Sequence, residues 1–378
     1  MNQLVSLFTR FEALPCSFTL HTPEGVTAVG DGEAAFALHV RNGRGTRALA
    51  SFDELTIADA YVRGDLEIEG DAIRAMWFRH LLSDDRWWIK TWRRLQPRIR
   101  SRDGLNPAWI AKHYDSNNLQ LFATDREYRA YTPGIYARDE DTLEEGTRRK
   151  YDFAFEQLRL EAGGEVLDVG HGWGGFLQYC CARGVSGQGI TLSRHQLAYV
   201  EQLIAERGLD AAVRYQDFFT YEPGRRFAAI SVMGVIEDLS DYPRVLDRLA
   251  KLLEPGGRVY LDFAAAKVAV DTSAFVTKHV WPGSFRQVYM PELLAALDRS
   301  PLELVGVWDD RRNYHLWARK GHQRWLENRD EVVRLSSEET WRLFRLLYAG
   351  TAGVMDDPTY RTTAYRMVLE LPADLRTF

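Results

Sequence analysis

The stretch EVLDVGHGWGG, residues 165–175, sets Asp168 near the end of an apolar run and places Gly170, Gly172 and Gly175 just behind it. Where a strand turns into a helix, backbone N–H groups point at whatever sits there, and only glycine lets a ligand approach closely. On the residues alone three uses are open: a dinucleotide site, a methyl-donor site, or a bare tight turn. The next run ends in GITLSRHQ without a carboxylate for ribose hydroxyls, which argues against a nicotinamide dinucleotide. RYQDFF then supplies Asp217, a group able to meet an adenine amino group. Three more acids, Glu237 and Asp238 in VMGVIEDL and Asp262 in YLDF, fall at the ends of two later runs. Open α/β sheets bind ligands at such strand ends, and clustered carboxylates raise one another's pKa, which suits proton transfer.

These residues need a scaffold that brings strand ends together. EVLDVG, SGQGIT, AVRYQD, FAAISVMGV and GRVYLDFAA read as strands, and 174–183, 193–207 and 242–253 have helical spacing. Strands that are apolar nearly throughout and separated by helices predict a buried parallel sheet of doubly wound type. LELVGVWDD and YHLWARKG read as an added hairpin, followed by a helix over 337–350. Residues 1–80 alternate short apolar and polar stretches, with turn signals at TPEG, GDGE and RNGRG, which predicts a small strand-containing domain. Within it, residues 51–71 place Leu55, Ile57, Ala58 and Tyr61 on one helical face, stopped by Gly64.

With 378 residues, 46% hydrophobic and 27% charged, the chain has the length and composition of two soluble domains. A net charge of −5 gives no basic field for nucleic acid. One stretch departs from the average: RWWIKTWRRLQPRIRSR, residues 86–102, is dense in Lys and Arg, has three tryptophans and no acid. It marks a domain boundary, so that 1–100 and 101–378 are the expected domains. Two readings stay open for it. It is either a solvated helix and linker whose tryptophans pack on a neighbour, or an interfacial segment gaining about 1 kcal/mol per basic residue on an anionic lipid surface. Cys16, Cys180 and Cys181 form no CxxC pair, so a reduced, cytoplasmic chain is expected, with no metal. The interrupted N-terminus is not expected to be a signal peptide, and no apolar run approaches 18 residues, so any lipid contact would be peripheral, at the inner face of the membrane.

VLDVGHGWGG, RYQDFF and LLEPGGRVYLDF together resemble the S-adenosylmethionine-dependent methyltransferases. VLDVGHGWGG followed by GITLSRHQ more particularly resembles the cyclopropane-fatty-acid synthase and mycolic acid methyltransferase family, with its VLDIGCGWGG and GVTLSxxQ. HYDSNN, YTPGIYARDEDTLEEG, VMGVIEDL, VWPGSF, RNYHLWARKGHQRW and, in front, AYVRGDLEIEGD are similar to further family stretches. The resemblance implies an α/β class I methyltransferase domain, Rossmann-like with a mostly parallel seven-stranded sheet, behind a smaller α+β domain for lipid binding and dimerisation. It implies S-adenosylmethionine as cofactor and methyl transfer to the double bond of an unsaturated acyl chain, on a phospholipid at a membrane surface, with cyclopropane as leading product.

The same resemblance assigns residues. Gly170 and Gly172 would pass the amino-acid part of the donor, with Asp168 beside them or only ordering the turn, and Tyr131 and Thr132 closing over it. Thr191, Leu192 and Gln196 would lie at the ribose, and Gln216 and Asp217 at the adenine. Family members hold a bicarbonate on a Cys, a Glu, a His and a Tyr to take the proton that ring closure releases. Glu237 and Tyr314 match two of these. The cysteine's place falls on Gly134, or on Pro133 after a one-residue slip, the histidine becomes Asp262, and the histidine following the glutamate becomes Asp238. Bicarbonate is thus put in doubt, and three outcomes stay open: Glu237, Asp238 and Asp262 replace the anion; the cation meets another fate, giving a methylated, methylene or hydroxylated product; or the acceptor is a small molecule. A lipid-binding protein without activity is a further alternative. Tyr136, Tyr314, Trp281 and Phe285 are either core or π faces toward the cation. His113 and Tyr114 are expected to organise a helix, and the His171 side chain to take no catalytic part.

Overall fold

Phe18 and Leu20 are buried and Ser17 and Thr19 less so, the period of two that makes a half-buried strand. In a computed structural model, residues 4, 8, 14–82, 118–239, 241–268, 273–280, 286–357 and 361–374 are described. The expectations for 86–102, His113, Tyr114, Trp281 and Phe285 lie outside them. By packing the chain forms two units. The first joins residues 1–100 with 273–280 and 318–360, so it is drawn from three stretches of chain rather than the leading hundred residues alone. The second comprises 101–272, 281–317 and 361–378.

The first unit holds a four-stranded sheet of β1 (Ser17–Thr22), β2 (Gly25–Val29), β3 (Ala34–Val40) and β4 (Leu66–Gly70), in the order β2-β1-β3-β4. Its core is aromatic: Phe18 and Phe36 stack with centroids 5.0 Å apart, and Phe78 meets Phe18 edge-on at 5.2 Å. RNGRG is not the turn its Asn-Gly pair predicts. Asn42 caps the helix Gly43–Ala50, accepting from the N–H groups of Arg44 at 2.9 Å and Gly45 at 3.1 Å. The helix Glu54–Val62, capped by Asp53, ends ahead of Gly64, whose φ of +80° suits a residue without Cβ. It buries Ala58 and Tyr61 as expected, while Leu55 and Ile57 stay half-exposed.

The second unit carries the large sheet: β5 (Glu165–Val169), β6 (Ser186–Thr191), β7 (Ala211–Tyr215), β8 (Phe227–Met233), β9 (Leu253–Ala266), the short β10 (Val288–Tyr289), β11 (Glu303–Asp309) and β12 (Thr362–Glu370). The order is β11-β12-β9-β8-β5-β6-β7, with β10 beside β9. Strands β5 to β9 run parallel, while β12 lies antiparallel to both β9 and β11. The chain winds outward from β5 through β6 to β7, then returns to the other side of β5 as β8. The strand order therefore reverses between β5 and β8, and a crevice opens at their C-terminal ends.

The expected hairpin of LELVGVWDD with YHLWARKG is not formed. β11 pairs with β12, and YHLWARKG lies in the helix Arg311–Glu327. The physical reason is local: Asp309 and Asp310 start a helix, Asp309 accepting from the N–H of Arg311 at 3.1 Å and the Asp310 carbonyl from that of Tyr314 at 2.8 Å. Burial at 313, 317, 321 and 325 follows the helical period across the whole segment.

Candidate active site

The glycine turn forms the floor of the crevice. Gly170 and Gly172 have φ of +72° and +52°, and the Gly170 N–H donates to the Ile190 carbonyl at 2.8 Å, tying the turn to β6. A Cβ on Gly170 would lie 2.4 Å from Val235 Cγ2, so the loop behind β5 and the loop behind β8 touch through this glycine. At Gly172 a Cβ would meet nothing within 4 Å, and Gly172 borders a cavity of about 330 Å³, within the range of small-ligand pockets.

All ten residues assigned to the donor line this one cavity: Tyr131, Thr132, Asp168, Gly170, Gly172, Thr191, Leu192, Gln196, Gln216 and Asp217. Leu192 is half-exposed at its wall rather than core. Thr191 Oγ1 donates to Gln196 Oε1 at 3.3 Å and accepts from the Ser193 N–H at 3.1 Å, so the turn behind β6 is internally tied. The Gln216 N–H reaches the Thr191 carbonyl at 3.0 Å, and Asp217 accepts from the Phe219 N–H at 2.7 Å. Asp168 is buried and accepts from Ser231 Oγ at 2.6 Å, and burial pushes its pKa up to about 6 against that hydrogen bond and the Lys150 charge. His171 also borders the cavity. Burial lowers its pKa to about 4, so the ring is neutral, and its Nδ1 lies 3.0 Å from the Gly172 carbonyl.

Of the four residues assigned to catalysis, Asp238 lines the cavity; Glu237, Asp262 and Tyr314 are not among its lining residues. Glu237 is buried in the turn after β8, with Oε1 accepting from the Ala264 N–H at 2.8 Å and Oε2 bonded to no described residue. Burial raises its pKa to about 8, the Ala264 bond opposing and Asp238 and Asp262 adding to the rise. Asp262 stands on β9, its pKa raised by burial against the pull of Lys150. The Tyr314 hydroxyl is pushed well above its ordinary range by burial, then by Glu237 and Asp262, and its ring lies 5.6 Å from that of Trp317, which also meets Tyr131 at 6.1 Å. These three groups therefore share one electrostatic neighbourhood.

Of the two places expected for the cysteine, Pro133 and Gly134, the second is closed by backbone. Gly134 packs backbone to backbone on Gly146, where a Cβ would lie 2.4 Å from the Gly146 carbonyl carbon, and the Ile135 N–H donates to the Gly146 carbonyl at 2.8 Å. Tyr136 is fixed nearby, its N–H held by Asn313 Oδ1 at 2.9 Å and its ring against Gly146, and it is not among the residues lining the cavity. With the cysteine's place at Gly134 that position has no room for a side chain, and the histidine's place carries the Asp262 carboxylate. The residues present do fit S-adenosylmethionine, with a glycine cradle, a cavity of suitable size and a buried carboxylate beside it.

Sequence reasoning missed two residues. Asp125 shapes the approach to Tyr131, its Oδ1 accepting from the Tyr128 N–H at 2.6 Å and its Oδ2 from that of Ala130 at 2.7 Å. Lys150, on the helix Leu143–Gln157, is 1% exposed, donates to Thr132 Oγ1 and lies 3.5 Å from Asp262 Oδ2. A lysine among Gly146, Thr147, Tyr151 and Ala154 on one buried face was the available signal.

Residues 105–360 match the mycolic acid cyclopropane synthetase family. A probable fatty acid methyltransferase of Pseudomonas putida is 30% identical, over 78% of this chain and 77% of its own length. A probable fatty acid methyltransferase of Mycobacterium tuberculosis is 28% identical, over 91% of this chain and 89% of its own. The solved mycolic acid cyclopropane synthase CmaA1, complexed with SAH and CTAB, shares the fold with a TM-score of 0.64 at 20% identity, over 70% of this chain and 98% of its own. With a doubly wound sheet, a glycine cradle at its switch point and a match spanning most of the sequence, the chain belongs to the mycolic acid cyclopropane synthetase family and is an S-adenosylmethionine-dependent methyltransferase.

Proposed function

We propose that this enzyme transfers a methyl group to the double bond of an unsaturated acyl chain, carried on a phospholipid at a membrane surface, and closes it to a cyclopropane. S-adenosylmethionine, held by the ten cavity residues, supplies an electrophilic methyl group when bound. The chain's part is to hold the acceptor in line, exclude water and take a proton. Once the methyl stands on the acceptor carbon, loss of one of its protons lets the C–H electron pair form the third ring bond. Glu237 Oε2 is the acceptor of that proton. The observation that carries the reading is this buried oxygen, unbonded to any described residue, on a carboxyl whose partner oxygen is fixed by Ala264. A pKa raised toward the working pH suits a group that must take and then release a proton. The relatives named as fatty acid methyltransferases support a lipid acceptor.

The test is incubation with methyl-labelled S-adenosylmethionine and vesicles of unsaturated phosphatidylethanolamine and phosphatidylglycerol, followed by mass spectrometry of the acyl chains. A gain of one CH2 that resists hydrogenation is expected. A gain that disappears into a branched saturated chain on hydrogenation refutes ring closure, and label that stays out of lipid while the donor still binds refutes the lipid acceptor.

A further inference from the structure

Lys150 has no part in the function proposed above, yet it is a buried cation that touches both the cavity wall and the acids. Its ammonium donates to Thr132 Oγ1 on the cavity wall and stands 3.5 Å from Asp262 Oδ2 among the acids. Thr132 is itself pressed on the loop behind β8, since a Cβ on Gly234 would lie 2.5 Å from Thr132 Cγ2. The Gly234 N–H in turn donates to the Asp262 carbonyl at 2.9 Å. Arg366 faces Asp262 across the β9–β12 pairing, but its guanidinium is engaged with Asp310 at 2.8 Å and stacked over the Phe153 ring at 4.5 Å. Among the described residues Lys150 is thus the ion-pair partner of Asp262. Asp262 is 5% exposed and Lys150 1%, so neither charge has water as an alternative partner.

We propose that Lys150 is a positioning residue coupling the donor wall to the acid cluster, and that the Asp262 carboxylate is its built-in counter-anion, filling the place that an exchangeable small anion would otherwise take. The inference rests on the reading of Glu237 as proton acceptor only for its effect on turnover. Its structural half stands on the Lys150, Thr132 and Asp262 geometry. With Asp262 paired to Lys150, Glu237 has no ion-pair partner among the described residues and keeps Oε2 unbonded to any of them, so the released proton goes there. No bicarbonate is required.

The pair can be tested without substrate. In Asp262→Ala the lost carboxylate leaves space beside a buried ammonium, and formate is a probe small enough to enter it. Thermal melts in formate against chloride at equal ionic strength should raise the midpoint of Asp262→Ala by about 2–3 °C when formate is tenfold above its Kd. Wild type and Asp262→Asn should show no such shift. In the vesicle assay formate should restore turnover of Asp262→Ala with an unchanged donor KM. Lys150→Met should lower kcat about 100-fold, and Lys150→Arg should recover most of it. Wild-type turnover should be the same in carbon dioxide-depleted buffer as in buffer with added bicarbonate. A folded Asp262→Ala that ignores formate overturns the inference, as does wild-type turnover that collapses without bicarbonate. If Asp262→Ala does not fold, a double-mutant cycle of Lys150→Met with Asp262→Asn decides: coupled stabilities support the pair, additive ones overturn it. A formate-dependent melt with no lipid turnover by wild type would reject the acceptor and leave the pair standing.

Discussion

Replacing Glu237 by Gln separates its chemical role from its structural cost. The folded protein keeps the Glu237 proton up to about pH 8, because burial disfavours the carboxylate, whereas an unfolded chain releases it near 4.5. Across that window the unfolded state binds fewer protons, so wild-type stability falls as pH rises, by about 1.4 kcal/mol per unit. Below 4.5 nothing is lost, and at pH 7 the loss is about 3 kcal/mol. Gln matches the protonated side chain in shape, keeps an oxygen for the Ala264 N–H and carries no such penalty. Urea unfolding at pH 5, 6 and 7 should therefore show the variant gaining on wild type as pH rises, with unchanged slope in urea. Turnover should go the other way: the variant should lose about 10²- to 10⁴-fold in kcat. Wild-type kcat should rise about tenfold per pH unit toward pH 8 and then level, as the carboxylate form becomes populated. A stability difference independent of pH would refute the buried-proton argument, and a variant that turns over normally would refute Glu237 as the acceptor.

Gly170→Ala forces a Cβ to 2.4 Å from Val235 at a φ of +72°; a stability loss of about 1–3 kcal/mol and at least tenfold weaker S-adenosylhomocysteine binding, by calorimetry, are expected. Ser231→Ala removes the hydrogen bond that favours the Asp168 carboxylate, so Asp168 should stay protonated above its present value of about 6 and donor affinity should fall more steeply between pH 8 and 6 than in wild type. The stability effect should be about 1.5–3 kcal/mol, read from urea unfolding. Gly134→Cys restores the family's cysteine in sequence but not in space: with Gly146 2.4 Å away, a loss of about 1–3 kcal/mol and no new response to bicarbonate are expected, checked by melts and the vesicle assay.

What the sequence disclosed was whatever depends on near neighbours in the chain. Strands β5, β6, β8 and β9 announce themselves as apolar runs, and the cavity residues sit within a few positions of their ends, so a strand reading carries them along. Asn-Gly at 42–43 misled because the pair that favours a turn also caps a helix. YHLWARKG misled because a short window alternates, while the helical period shows only across Arg311–Glu327. The pairs Lys150 with Asp262 and Arg366 with Asp310 join residues far apart in sequence, and no local pattern marks either partner. Asp125 was hidden differently: its hydrogen bonds are local, but they serve an irregular segment without periodicity.

β12 has a consequence for how the enzyme comes to exist. All nine of its residues pair with β9, and it lies between β9 and β11 rather than at a rim. It is also the last strand of its sheet to leave the ribosome, about a hundred residues after β9. Until then β9 and β11 have nothing between them, and the open backbone edge of β9 is free to recruit another chain. Nascent protein halted before residue 362 should therefore be the form that chaperones hold and that aggregates, whereas emergence of β12 should commit the domain to its working shape.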